Sequence, residues 1–160
     1  MRWLPPSRPP SPHFTWQEVI GNSGYFVVPY GPTPIGHGRF VLTPRLNARK
    51  HAANLERLRV AVNGARMLKG LEATGIHVIS WARTYEHNRV VGGALDSQHL
   101  YLLATDISVQ EVDRLCPWPG GRETFDVLLD KVFANGGVGL YPAGQRHVDT
   151  RGHRARWTVA

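Results

Sequence analysis

The sequence is poor in cysteine and in acidic charge, and it has no long apolar run. Its one cysteine, Cys116, excludes an internal disulfide, a four-cysteine zinc site and a dithiol redox site. A bound metal therefore has to take histidine and carboxylate ligands. No stretch reaches the roughly 18 consecutive apolar residues of a membrane-spanning helix, and the proline-rich start lacks the apolar core of a secretory signal. We expect no membrane partner and no signal peptide.

Basic residues outnumber acidic ones by 19 to 12, which gives a formal net charge of +7. Such an excess favours an anionic partner, which could be nucleic acid, an acidic cell-surface polymer or a negatively charged assembly partner. The basic residues are scattered along the chain without a run of five or more. We therefore expect no direct nucleic-acid partner.

A length of 160 residues fits one domain with its own core. Residues 1–13 hold five prolines, a composition typical of an extended arm that buries little. We expect this arm to be a tail or a docking strap, and residues 14–160 to form the domain.

Hydrophobic periodicity predicts a mixture of helices and strands. Apolar residues at three- and four-residue steps predict helices over 47–71 and 125–133, and Thr15 with Glu18 has the spacing of a capping box. A short helix is also predicted over 108–115. Strands are predicted over 25–28, 76–81, 104–107, 138–141 and 146–150. Without a regular strand–helix alternation, the expected class is α+β, a single domain.

Three side chains form a candidate metal site. His99 precedes Asp106 by seven positions, and His147 lies far downstream in a predicted strand. Catalytic zinc commonly has three protein ligands of these types and leaves its fourth position open to water. Two histidines and one aspartate are a weak signal alone, because most such residues are ordinary polar side chains.

The surrounding residues strengthen the signal. From Arg83 to His99 the chain reads Arg-Thr-Tyr-Glu-His-Asn-Arg-Val-Val-Gly-Gly-Ala-Leu-Asp-Ser-Gln-His. This block resembles the zinc D-alanyl-D-alanine carboxypeptidase family, whose members have Arg-Ser-Pro-x-x-Asn-x-x-Val-Gly-Gly-Ala-x-x-Ser-x-His there. The segment from His147 to Gly152, leading to Trp157, looks like the last metal motif of that family.

The resemblance implies a small, mainly antiparallel sheet with flanking helices and a zinc site like that of hedgehog domains and peptidoglycan peptidases. It implies Zn²⁺ binding by His99, Asp106 and His147. Arg83 matches the family's substrate-stabilising arginine, and a guanidinium suits a carboxylate or an oxyanion. Ser97 matches the serine that precedes the first ligand and helps to hold it, and the resemblance implies that Ser97, like Arg83, contacts substrate. A structural salt bridge is the alternative for Arg83.

Two positions depart from the family pattern. Leu102 stands where members have glycine, and Gly144 stands where many have an acidic general base, three residues before the last histidine. Residues two apart on a strand share a face, so Asp149 lies beside His147 in the prediction. We expect Asp149 to act as the catalytic proton acceptor, or else to support a ligand histidine from behind.

The resulting expectation is a zinc-dependent metallopeptidase that cleaves peptidoglycan stem or cross-bridge peptides, as a carboxypeptidase or an endopeptidase. A lysin would act at the bacterial cell wall. The alternative is a structural protein of a bacteriophage virion or tail, with the peptidase fold, little or no catalysis, and tail partners bound through the N-terminal arm. A binding or signalling module like the hedgehog relatives is a third reading, which fold alone does not exclude.

Overall fold

A computed structural model describes residues 2–3, 8–21, 26–27, 34–35, 39–40, 44–108, 121–142 and 144–159. The helices are α1 (Trp16–Ile20), α2 (Pro44–Met67), α3 (Tyr85–Val90), a 3₁₀ turn (Gln98–Tyr101) and α4 (Gly121–Val132). The strands are β1 (Arg2–Trp3), β2 (Phe26–Val27), β3 (Pro34–Ile35), β4 (Arg39–Phe40), β5 (Val78–Ser80), β6 (Ala104–Ser108), β7 (Gly137–Leu140), β8 (Gln145–Asp149) and β9 (Ala155–Thr158). The predicted α+β class is confirmed.

One sheet of five strands organises the domain, in the order β5-β6-β8-β7-β9. All neighbouring pairs are antiparallel except β7 and β9, which run parallel. The expected mainly antiparallel sheet is therefore confirmed. Two short pairs, β1 with β2 and β3 with β4, stand apart from this sheet.

Helix α2 follows from its apolar spacing. The side chains of Leu55, Leu58 and Val62 are at most 2% exposed and pack in the core, as one apolar helical face requires. The helix ends at Met67, four residues before the predicted end, and Gly70 follows with a φ of 69°. A left-handed φ suits glycine and closes the helix there.

Between the helices and the sheet lies a single hydrophobic core, to which α1, α2, α4 and the central strands contribute. Its largest fully buried side chains are Trp81, Phe14, Phe125 and Phe133. Trp81 directly follows β5 and donates its indole N–H to the carbonyl of Leu102, 3.1 Å away. The core thereby ties the end of β5 to the 3₁₀ turn.

Helix α1 begins with the predicted capping box. Thr15 Oγ1 accepts from the Glu18 backbone N–H, and the Glu18 carboxylate accepts from the Thr15 backbone N–H. Before it, Ser11 and His13 both bond Glu56 of α2. Residues 8–13 of the expected arm therefore lie against α2, and residues 2–3 of the arm form β1.

Most of the other predicted elements are found within one to four residues of their expected ends. The predicted helix over 108–115 lies outside the described residues, apart from its first position. Six described elements were not predicted: strands β1, β3, β4 and β9, helix α3 and the 3₁₀ turn. No helix in the described ranges has the length and apolar character needed to cross a membrane.

Candidate metal centre

The 3₁₀ turn positions the first candidate ligand. His99 is 1% exposed, and its Nδ1 lies 2.5 Å from the Trp81 carbonyl oxygen. A carbonyl can only accept, so Nδ1 carries the proton and Nε2 presents a lone pair. The backbone N–H of Arg83 donates in turn to the His99 carbonyl at 3.3 Å. The end of β5 and the turn thus fix the ring from two directions.

Strand pairing brings the other two candidates together. Asp106 of β6 and His147 of β8 are direct partners in the antiparallel register. His147 Nε2 lies 3.1 Å from an oxygen of Asp149. The carboxylate accepts from the ring, which leaves the lone pair of His147 Nδ1 facing Asp106 and His99.

Three acceptor atoms therefore converge. His99 Nε2 lies 3.2 Å from Asp106 Oδ1 and 3.1 Å from His147 Nδ1, and His147 Nδ1 lies 3.1 Å from Asp106 Oδ1. With zinc bonds of about 2.0–2.1 Å, tetrahedral ligand atoms lie about 3.3 Å apart. Both the donor set and the spacing fit zinc, and the group can hold a metal ion.

The charges around the group suit a cation. Burial acts to raise the pKa of Asp106, but its contacts with His147 and His99 outweigh burial and hold that pKa below its usual range. Burial lowers the pKa of His99. Burial also acts to lower the pKa of His147, but Asp106 and Asp149 outweigh it and raise that pKa. The Asp106 carboxylate is therefore ionised at neutral pH.

Asp149 is enclosed behind His147. Its side chain is fully buried, and it accepts from the Gly137 backbone N–H at 2.9 Å and from the Arg151 guanidinium. A methyl group at Gly137 would collide with this carboxylate. The Asp149 carboxylate contacts His147 at Nε2, on the side of the ring away from Asp106 and His99. These contacts match the second expectation for Asp149, support of a ligand histidine, while its role as proton acceptor stays a prediction.

Arg83 and Ser97 both line a cleft of about 280 Å³ beside the two histidines. Arg83 donates through Nη2 to Asp106 Oδ2, and its Nε lies 3.3 Å from Ser80 Oγ. The side chain is 16% exposed, so its guanidinium contacts a candidate ligand and also reaches the cleft. Ser97 precedes the 3₁₀ turn without a side-chain capping bond.

Several residues between Arg83 and Ser97 shape the loop that leads to His99. Thr84 caps α3 by accepting from the His87 N–H. The buried Asn88 donates from Nδ2 to the Ala94 carbonyl at 2.8 Å, and a methyl group at Gly93 would collide with the Asn88 side chain. The motif asparagine and glycine are therefore structural, since they fold the loop back on α3.

The far wall of the cleft comes from the last three strands. Trp157 lies opposite Gly139, which is itself paired with His147. The absence of a side chain at Gly139 lets the Trp157 ring approach, and the ring centroids of Trp157 and His147 are 5.1 Å apart. Tyr141 also lines the cleft.

Three further cleft residues had no predicted role: Arg151, Gln98 and Asp96. Arg151 lies two positions after Asp149, and the same alternation that placed Asp149 beside His147 could have identified it. Gln98 has a buried side-chain oxygen with no hydrogen-bond partner among the described residues. Asp96 is exposed, and its carboxylate gave no local sequence signal.

The two departures from the family pattern both have left-handed backbones. Leu102, which follows the 3₁₀ turn, has a φ of 62°, and its side chain is 1% exposed. The leucine keeps the glycine-type turn and fills the core, at a backbone cost of about 1 kcal/mol. Gly144 has a φ of 76° and offers no acid next to β8.

Residues 47–116 match the model of a protein family described as Peptidase M15. The match includes His99 and Asp106 and ends before His147. No curated protein and no solved structure matches the chain. The matched segment, 70 of the 160 residues, is therefore similar to the M15 peptidases, the zinc metallopeptidases related to D-alanyl-D-alanine carboxypeptidase that the sequence motifs resemble.

Proposed function

We propose that His99, Asp106 and His147 hold the zinc ion, and that the cleft beside them binds a stem or cross-bridge peptide of peptidoglycan. The observation that carries this proposal is the convergence of three acceptor atoms 3.1–3.2 Å apart at one end of the cleft. A zinc ion held by these three residues would supply Lewis-acid chemistry, lowering the pKa of a bound water and polarising the scissile carbonyl. Water then adds across the C–N bond, which yields a carboxylate and a free amine.

The surrounding residues orient the ligands in this proposal. The Trp81 carbonyl fixes the proton of His99 on Nδ1, and Asp149 fixes the proton of His147 on Nε2. Such contacts commonly raise the basicity of a ligand histidine and set its ring orientation. Asp149 is therefore a positioning residue for His147 in this proposal.

Arg83 and Gln98 are the proposed substrate contacts. The guanidinium of Arg83 lies where negative charge would develop next to Asp106, and it can stabilise an oxyanion or hold a terminal carboxylate. The unpartnered oxygen of Gln98 can accept from a peptide N–H, which would satisfy a buried acceptor. Ser97 lies on the same wall and contributes a hydroxyl.

The proton acceptor has two candidates. Asp149 is fully buried, and both of its oxygens already accept hydrogen bonds. Asp96 alone carries a carboxylate among the described residues that line the cleft, and it is exposed. Asp149→Asn and Asp96→Asn form a matched pair, because each keeps the side-chain shape and removes the acceptor.

These two variants distinguish a general base from a residue that supports a zinc ligand. Loss of a general base should cost on the order of 10²–10⁴ in rate with zinc retained. Loss of support for His147 should weaken zinc binding by about 10–100-fold, and excess zinc should restore activity. We expect the second result for Asp149→Asn. If this variant keeps its zinc affinity and loses its rate, Asp149 is the proton acceptor itself. If Asp96→Asn keeps the full rate, Asp96 is excluded.

Digestion of purified cell walls tests the proposed function. Zinc-loaded protein should release new amino groups, and a chelator should stop the release. Free D-alanine among the products indicates a carboxypeptidase, whereas new amino groups without free alanine indicate an endopeptidase that cuts cross-bridges. Arg83→Ala should lower the rate even at saturating zinc, which is needed because Arg83 also contacts the proposed ligand Asp106. His99→Ala should lose both the activity and the bound zinc.

A zinc-loaded protein that releases nothing from cell walls of several chemotypes would favour the structural alternative. In that reading the fold serves a virion or tail, and residues 1–13 dock it on a partner. The observation that supports this alternative is Gly144, which has no carboxylate to act as a general base.

A further inference from the structure

A second cleft, of about 410 Å³, lies between α2 and α4. It shares no lining residue with the cleft at the candidate metal centre. Lys50, Asn54 and Arg57 of α2 lie on one helical face, four and three positions apart. Lys131 of α4 and the segment 132–136 form the facing wall. We call this space the α2–α4 cleft.

The α2–α4 cleft is strongly positive. Lys50, Arg57 and Lys131 line it, and none of the three has a salt bridge or side-chain hydrogen bond within the described part of the chain. Asp149 is the one acidic residue in the lining, and its carboxylate is already bound by His147 and Arg151.

The acidic residues nearest to these cations in sequence are also occupied. Glu56 of α2 pairs with Arg59 and His13, and Asp130 of α4 pairs with Arg154 and Arg156. These pairs leave three positive charges around one cleft with no partner to offset their mutual repulsion. A bound anion would supply that partner.

Neutral polar groups complete the lining. Asn54 donates from Nδ2 to Thr150 Oγ1 at 3.1 Å, and Asn135 also lines the cleft. The one aromatic residue, Phe133, is 1% exposed and offers no face on which a base could stack. A nucleic acid would need such platforms or a track of cations along its backbone, so a compact anion fits better.

We infer that the α2–α4 cleft binds the phosphate group of an organic phosphate. Two lysines and one arginine match the charge of a phosphate ester better than that of a single carboxylate, and lysine binds phosphate as a point charge. The volume lies within the range of small-molecule sites, so the cleft has room for the organic part next to Val132 and Ala134. The phosphate comes either from a free phosphate ester or from a phosphodiester polymer.

Calorimetry on the zinc-loaded full chain tests this inference at constant ionic strength. The probes are glycerol 3-phosphate, a short glycerol phosphate oligomer and inorganic phosphate. A triple variant, Lys50→Gln with Arg57→Gln and Lys131→Gln, should weaken binding of the organic probes at least about tenfold, since each lost charged contact is worth up to that factor. Zinc content and circular dichroism should stay unchanged.

A matched control removes the same charge elsewhere. Arg49, Lys69 and Arg89 are exposed and lie outside both clefts, and their conversion to glutamine should leave binding within about twofold of wild type, because a screened surface charge contributes little. Equal weakening of phosphate binding in both triple variants would mean that binding depends only on the net charge of the protein, and it would overturn the proposed site. So would a wild-type protein that binds neither organic probe at millimolar concentration.

The probes also distinguish the sources. Similar affinity for the ester and the oligomer identifies a free phosphate ester as the ligand, and clearly tighter binding of the oligomer identifies a phosphodiester polymer. A single-stranded oligonucleotide that binds more tightly than either would overturn the inference in favour of nucleic acid. Because no residue is common to both clefts, failure of this test leaves the proposed peptidase activity unaffected.

Discussion

The histidine buried in the core, His51, should make stability depend on pH. It is completely buried, its ring nitrogens lie 2.8 Å from Thr150 Oγ1 and 3.1 Å from Thr105 Oγ1, and its ring packs on Trp81. Burial is the largest cause that lowers its pKa from 6.5 to about 3, although the charge of Asp149 acts in the opposite direction. His51 is therefore neutral in the native protein throughout the neutral range.

The direction of the change in stability follows from the number of protons that His51 binds in the native and the unfolded chain. Between pH 6.5 and 3 the unfolded chain binds a proton at His51 and the native protein does not, so the free energy of unfolding falls as the pH falls through this window. The stability is fully present above pH 6.5. From pH 8 to pH 5 the loss amounts to about 2 kcal/mol.

The assay compares urea unfolding of the wild type and His51→Gln at pH 8 and pH 5, both with a chelator present. Glutamine keeps polar atoms in the site but does not titrate there, and contributions of all other groups are shared by the two proteins. The wild type should lose about 2 kcal/mol more than the variant on acidification. Equal losses would refute the reasoning, as would a nuclear magnetic resonance titration in which His51 is protonated at pH 5.

Three other predictions concern the metal centre and the sheet. Gly137→Ala should displace the Asp149 carboxylate and weaken zinc binding by about 10–100-fold, as measured by competition with a chromophoric chelator. Asp126→Ala removes the partner of the buried Arg146 guanidinium and should destabilise the fold by on the order of 2–3 kcal/mol in denaturant unfolding. Zinc affinity should fall on acidification below roughly pH 6, because ligand histidines must be neutral and the pKa of His147 is raised; a metal titration that is flat from pH 7 to pH 5 would contradict this ligand set.

The hydrophobic pattern predicted helices α2 and α4, because each buries one apolar face in the core. Strands β6 and β8, which carry Asp106 and His147, were also predicted, although Val148 is the one apolar residue of β8. The 3₁₀ turn that carries His99 was not predicted.

Strand β9 escaped prediction. It is four residues long and has two apolar positions, Ala155 and Trp157, and Arg156 within it donates to the carbonyls of Gly136 and Phe133. Its place beside β7 depends on those tertiary contacts, which no local pattern encodes.

For the candidate site, spacing and motif predicted which residues meet but not what each nitrogen faces. That His147 turns Nε2 toward Asp149 depends on the enclosure of Asp149 by the Gly137 N–H and by Arg151. Gly137 lies on a different strand, and its contact is a consequence of sheet order. Strand alternation alone could therefore place Asp149 beside His147, but it could not choose between its two expected roles.

The direct pairing of Asp106 with His147 gives the metal a part in the assembly of the sheet. A slip of one residue between β6 and β8 would turn one of these two side chains to the opposite face, and the ion would then lose a ligand. In the proposed site a mispaired chain would offer fewer than three ligands, whereas the native pairing would offer all three. Zinc present during refolding would therefore add its binding free energy to the native register of β6 and β8 and not to the slipped ones. The metal would thus favour the correct alignment of the two strands.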